Sequence, residues 1–131
     1  MTETPPTPLH DVRVVEISDR IAGAYCGKLM TDAGADVITV EPAEGDPLRR
    51  FTASGAVSPD GVDAPLYTYL NAGKRSVTSV SDELLTAADI VIVTGTRSAA
   101  TLRGIDPQRL LEQAPNPVSY THLTLPTNRE V

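Results

Sequence analysis

The chain has 131 residues, enough for one domain that buries roughly two-thirds of its unfolded surface. Eleven Lys and Arg against 17 Asp and Glu give a net charge of −6, which argues against nucleic acid or an anionic membrane as a partner. A single cysteine excludes an intrachain disulfide and suits a reducing compartment, so a cytoplasmic location is expected.

No apolar run approaches the ~20 residues of a membrane span. Residues 1–8 are rich in Thr and Pro and charged only at Glu3, so they read as a flexible leader rather than a signal peptide. Val12-Arg13-Val14-Val15-Glu16-Ile17 is a β-branched run that predicts a buried strand. Ser18 and Asp19 follow as helix-start residues, whose side-chain oxygens can accept first-turn amides. From Ile21 the apolar positions 21, 22, 25, 26, 29, 30 and 33 have the spacing of one buried helix face, and Gly34 sits where a left-handed cap is wanted. Asp36 to Val40 predicts a second strand. Strand, helix and strand with short joints imply a right-handed βαβ unit and a parallel sheet.

Glu41 to Val62 is rich in Pro, Gly, Asp and Ser without a period and reads as a surface loop. Ala64 to Leu70 is expected to make a helical turn, Arg75 to Val80 a short strand, and Asp82 to Ala88 a brief helix capped by Ser81. Ile90-Val91-Ile92-Val93 predicts a buried parallel strand. Asp106-Pro107 then makes a helix start, with Arg109 to Gln113 as the body. After Asn116-Pro117 the pattern alternates only weakly and has no cap or partner element. The segment 118–131 resembles translated sequencing adapter and is read as a non-native tail carrying no functional information.

Two places suit an anionic ligand. The first is the joint between strand one and the following helix, at Arg20, Ile21 and Ala22. A helix N-terminus offers free amides and the positive dipole end, at the strand edge where doubly wound sheets bind ligands. Gly23 and Gly27, four apart, equally suit close helix packing. The second is Asn71-Ala72-Gly73-Lys74-Arg75-Ser76, where adjacent cations after a Gly turn suit phosphate oxygens but also describe a solvated turn. A nicotinamide dinucleotide domain is an alternative, since Glu41 ends strand two. It wants Gly-x-Gly-x-x-Gly directly after the strand, and Ser18-Asp19-Arg20-Ile21-Ala22-Gly23 stands there instead. Cys26 on the helix face reads as a small buried hydrophobe. His10 and His122 have no partner suggesting a triad, and no metal-ligand spacing occurs.

Arg20 through Met30, running on through Asp32-Ala33-Gly34-Ala35-Asp36-Val37-Ile38-Thr39-Val40-Glu41-Pro42, and Leu70-Asn71-Ala72-Gly73-Lys74-Arg75-Ser76-Val77 together resemble the opening of a class III coenzyme A transferase. That family includes formyl-CoA transferase, carnitine-CoA transferase and α-methylacyl-CoA racemase. The resemblance covers about Pro8 to Pro117. It implies the incomplete N-terminal part of a larger α/β domain, a Rossmann-like parallel sheet with flanking helices over residues 9–117. The implied chemistry moves CoA between carboxylic acids: a carboxylate attacks the acyl-CoA thioester and passes through an enzyme-bound anhydride and thioester. Coenzyme A and acyl-CoA are then substrates rather than a resident cofactor, and the whole protein is an interlaced homodimer.

By the same resemblance Arg20, Ile21, Ala22, Lys74, Arg75, Thr96 and Arg97 meet the coenzyme, with Arg103 a second candidate for the Arg97 role. Gly45-Asp46-Pro47-Leu48-Arg49-Arg50 matches a family loop but reads as an ordinary surface turn. The chain departs from the pattern at Thr39, where Lys is usual, and in a shortened stretch between Val77 and Ala88. The catalytic carboxylate is expected outside this chain, with Asp36 and Glu41 poor substitutes, so the isolated chain is expected to be inactive. An acyl-CoA racemase, or the degenerate CoA-binding half of a fused protein, fits the same resemblance.

Overall fold

The computed structural model describes residues 5–18, 20–94, 106, 112 and 118–122, the last five as backbone. Asp19, Gly95 to Arg97, Arg103, the helix body expected at Arg109 to Gln113 apart from Glu112, and Leu123 to Val131 lie outside the described residues. The β-branched runs form β1 (Arg13–Ile17), β2 (Asp36–Val40) and β4 (Ile90–Thr94). The short β3 (Arg75–Val77) and β5 (Val118–His122) complete a five-stranded sheet of order β3-β2-β1-β4-β5. Every neighbouring pair is parallel, with Val14 opposite Val37 and Ile90. This is the strand order of a doubly wound α/β sheet, whose ligand edge is the carboxyl ends of the strands.

β5 corrects the expectation that the segment after Pro117 lacks a partner, because Val118 to His122 pairs in register with Ile90 to Thr94. β3 is also shorter than expected and stops at Val77.

Side chains alternate across the sheet. Val15, Ile17 and Val40 pack under α3 (Asp82–Thr86) through Leu85. Ser81 accepts the Leu84 amide as the cap that starts α3, as its sequence suggests. On the other face Val14, Ala35, Val37 and Ile92 meet Cys26 and Met30 of α1 (Ile21–Asp32). Cys26 is half-buried there, and burial followed by the Glu16 charge pushes its thiol up, so it packs as a small hydrophobe. Ala24 joins Leu48, Tyr67 and Leu70 of a second layer made by a 3-10 helix (Pro47–Arg50) and α2 (Pro65–Asn71). That 3-10 helix corrects the reading of 41–62 as loop throughout.

α1 turns a different face inward from the one its large residues suggest. The buried positions are Gly23, Ala24 and Gly27, while Ile21, Tyr25 and Leu29 are about half exposed. A Cβ on Gly23 would collide with Ser18 and Thr94, and one on Gly27 with the Glu16 carboxylate. The helix lies so close to the sheet that only the smallest residues fit beneath it, and bulk at every fourth position is displaced outward. At the far end Gly34, with φ +102°, closes the helix: its amide reaches the Thr31 carbonyl and that of Ala35 the Met30 carbonyl. Among the described residues no helix is long and apolar enough to cross a membrane.

Candidate functional site

At the carboxyl edge of the sheet, β1 and β4 end side by side and are joined by their hydroxyls. Thr94 Oγ1 donates to Ser18 Oγ at 2.9 Å, and Ser18 Oγ donates to the Arg20 carbonyl at 3.0 Å while accepting the Arg20 amide. Ser18 is therefore not a helix cap, as its sequence position suggests, but the pin of the strand-to-helix turn. Arg20 occupies the cap position with an extended backbone and no side-chain capping bond. Arg20, Ile21 and Ala22 are all exposed there. The positive end of the α1 dipole thus opens at the edge where doubly wound sheets receive ligands.

The second expected contact, Lys74-Arg75, divides. Gly73, with φ +83°, turns the chain, and Lys74 runs inward beneath α1 with its side chain 1% exposed. Its ammonium donates to Glu16 Oε2 at 2.7 Å, the Ala24 carbonyl at 2.8 Å and Asn71 Oδ1 at 3.0 Å, which uses all three protons. Glu16 is equally buried. Burial pushes its carboxyl up, Lys74 pulls it down by charge and hydrogen bond, Asp46 adds an upward push, and burial prevails. Arg75 is exposed and bonds both oxygens of Asp36, at the start of β2, through its Nε and Nη2. Consecutive residues leading into a strand face opposite ways, so the two cations do not form the paired phosphate cradle expected of them.

A third cluster, which the sequence pattern suggests is an ordinary surface turn, is not one. Asp46 is buried and accepts the Leu48 amide to start the 3-10 helix. Arg49 donates to both oxygens of Glu41, at 3.2 and 2.6 Å, and to both of Asp63, at 2.9 and 2.8 Å. The Tyr67 hydroxyl donates to the same Glu41 oxygen at 2.6 Å. Burial alone would raise Glu41, but the hydrogen bonds from Arg49, Tyr67 and Ser76 with the Arg49 charge outweigh it and hold the carboxyl below its ordinary range. Burial and the bond to Glu41 push the Tyr67 hydroxyl up, so it stays a donor. The sequence signal that could have found this cluster is Asp46-Pro47, a helix-start pair within the expected loop.

A cleft of about 240 Å³ opens beside the carboxyl ends of β1 and β2, lined by Ile17, Val40, Glu41, Pro42, Thr78, Ser79 and Val80. No group of His, Cys, Asp and Glu among the described residues could hold a metal ion. Thr96, Arg97 and Arg103 lie outside the described residues, so the geometry concerns Arg20, Ile21, Ala22, Lys74 and Arg75.

The family model of CoA-transferase family III matches residues 9–124. A succinate–glutarate CoA-transferase of Agrobacterium fabrum is 34% identical over 84% of this chain and 31% of its own length. A succinyl-CoA–D-citramalate CoA-transferase of Chloroflexus aurantiacus is 51% identical over a shorter stretch, 38% of this chain and 13% of its own. Among solved structures, a CaiB/BaiF family protein from Brucella suis superposes with a TM-score of 0.73 at 30% identity, over 88% of this chain and 33% of that one. The chain therefore spans about a third, or less, of the length of these proteins.

Proposed function

This chain belongs to CoA-transferase family III, and we propose that it supplies the coenzyme-binding opening of an enzyme that moves CoA between carboxylic acids. The observation that carries the reading is the start of α1, whose cap residue Arg20 makes no side-chain capping bond and lies at the carboxyl edge beside the Ser18–Thr94 joint. Its amides and dipole suit the phosphates of a CoA molecule. Arg20, Ile21 and Ala22 are the proposed contacts, with Thr96 and Arg97 completing the set. Arg75 contributes by fixing its turn to Asp36 rather than by direct charge.

In the proposed reaction a carboxylate attacks the thioester carbonyl and CoA leaves as a thiolate. That thiolate attacks the enzyme-side carbonyl of the resulting anhydride, which releases the donor acid and leaves an enzyme thioester. The acceptor carboxylate expels the thiolate from it to give a second anhydride, and the thiolate then takes the acceptor's acyl group and frees the enzyme carboxylate. Glu16, Glu41, Asp36 and Asp63 are each held by a cation, so none is set for that attack. The nucleophile is proposed to belong to the remainder of the whole enzyme, which works in the cytoplasm as a homodimer. The single half-buried thiol and the exposed Ile21, Tyr25 and Leu29 support that setting.

The test is thermal unfolding of the chain with CoA and, separately, with NAD. A ligand that binds only the folded state raises its midpoint. A rise with CoA, absent with NAD and reduced in Arg20→Ala, is the expected result. No rise with CoA, or an equal rise with NAD, overturns the assignment.

A further inference from the structure

We infer that Lys74 is a positioning residue of the coenzyme site, an internal strut that holds the Asn71–Ser76 turn against the first half of α1. The inference rests on the coenzyme reading above and assigns a new role within it. Lys74 Nζ is out of reach of any ligand: its side chain is 1% exposed and its three protons are taken by Glu16, Ala24 and Asn71. Those acceptors come from three elements, β1, α1 and α2. Glu16 lies two residues before Ser18, which orients Arg20, and the Ala24 carbonyl lies within the first turns of α1. The ammonium therefore joins the turn that carries Arg75 to the strand and helix that carry Arg20, Ile21 and Ala22.

Two further observations favour this placement. α1 has glycine at position 27, where any Cβ would strike the Glu16 carboxylate and approach Lys74 Nζ within 3.0 Å. Asn71, the last residue of α2, spends its own amide on the Tyr67 carbonyl at 3.2 Å, which aims its oxygen at the ammonium. A lysine meant for a ligand would leave at least one donor directed at solvent, and this one leaves none.

The experiment measures CoA affinity by calorimetric titration at two ionic strengths for the unaltered chain, Lys74→Met, the pair Glu16→Leu with Lys74→Met, and Asn71→Ala. Thermal midpoints are recorded alongside. Lys74→Met alone strands Glu16 and lowers the midpoint steeply, whereas the double variant, with no buried charge left, recovers it. The expected signature is a recovered midpoint with CoA affinity still about tenfold weaker and an unchanged salt dependence. Asn71→Ala, which removes one tie at the turn, is expected to weaken binding roughly threefold at a near-normal midpoint, and it decides the matter if the double variant does not fold.

Full affinity in the double variant, or in Asn71→Ala, reduces Lys74 to a fold-stabilising residue and overturns the inference. Weaker binding with a flattened salt dependence makes Lys74 a direct phosphate contact and also overturns it. A folded, unaltered chain that does not bind CoA overturns the coenzyme reading itself, an outcome separate from either.

Discussion

Arg49 lies over the ring of Tyr67, 4.2 Å from its centre, while both side chains donate to the same carboxylate, Glu41. Stacking, ion pairing and hydrogen bonding thus converge on one arginine, whose planar fork spans Glu41 and Asp63 together. Lysine has a point charge and cannot hold both carboxylates by two oxygens each. Arg49→Lys is expected to cost about 2 kcal/mol, and Tyr67→Phe about 1.5 kcal/mol, because each leaves the buried Glu41 short of a donor. Urea unfolding checks both; an Arg49→Lys midpoint equal to that of the unaltered chain would refute the account.

The pH dependence follows from two acids with opposite shifts. Glu41 titrates below its ordinary value of 4.5 when folded, so its contribution is present above that pH and lost as pH falls through the folded value. Glu16 is shifted up, so its contribution has the reverse sign: stability declines as pH rises from 4.5 through the folded value, and mild acid relieves it. Stability should therefore hold or rise slightly on leaving neutrality and fall only below about pH 4.5. Glu41→Gln should flatten that acid limb in a series of urea midpoints. An acid limb as steep as before would show that another group sets it.

Gly27→Ala should run against helix propensity. In an open helix the exchange gains about 1 kcal/mol. Here the new methyl falls on the Glu16 carboxylate, and a loss of about 2 kcal/mol is expected from overpacking. A thermal midpoint at or above that of the unaltered chain would mean that α1 can lift from the sheet at little cost.

Leu29 is 52% exposed and continues the outward stripe of Ile21 and Tyr25. Leu29→Glu should change stability by less than about 0.5 kcal/mol and lower self-association, since it breaks an exposed apolar patch. Light scattering against concentration reads the second effect, and a loss of stability of core size would place Leu29 inside.

The sheet was legible because β-branched runs such as Val12 to Ile17 and Ile90 to Val93 have few other uses, and Ser81 and Gly34 mark helix ends by chemistry that depends on neighbours close in sequence. The buried face of α1 was not legible. Periodicity weighs large residues, whereas this helix is seated by its smallest ones, and the reason, a carboxylate at Glu16, stands eleven residues earlier in another element. Lys74-Arg75 misled for a related cause: proximity in sequence suggested a shared target, and the alternation of an extended chain sends the two apart. Arg49 looked solvated because its partners, Glu41, Asp63 and Tyr67, are contributed by segments that carry no joint pattern.

The bond between Glu16 and Lys74 spans 58 residues and sets an order on how the chain acquires structure. During synthesis β1, α1 and β2 are complete long before Lys74 emerges, yet a charged carboxylate at the centre of that unit is costly to dehydrate without its counter-charge. The βαβ unit that a sequence reader would choose as the earliest and most local piece is thus held open until the start of β3 arrives. The last strand on that side of the sheet closes the first, and a nascent chain halted before Gly73 should expose its α1 amides to rapid hydrogen exchange.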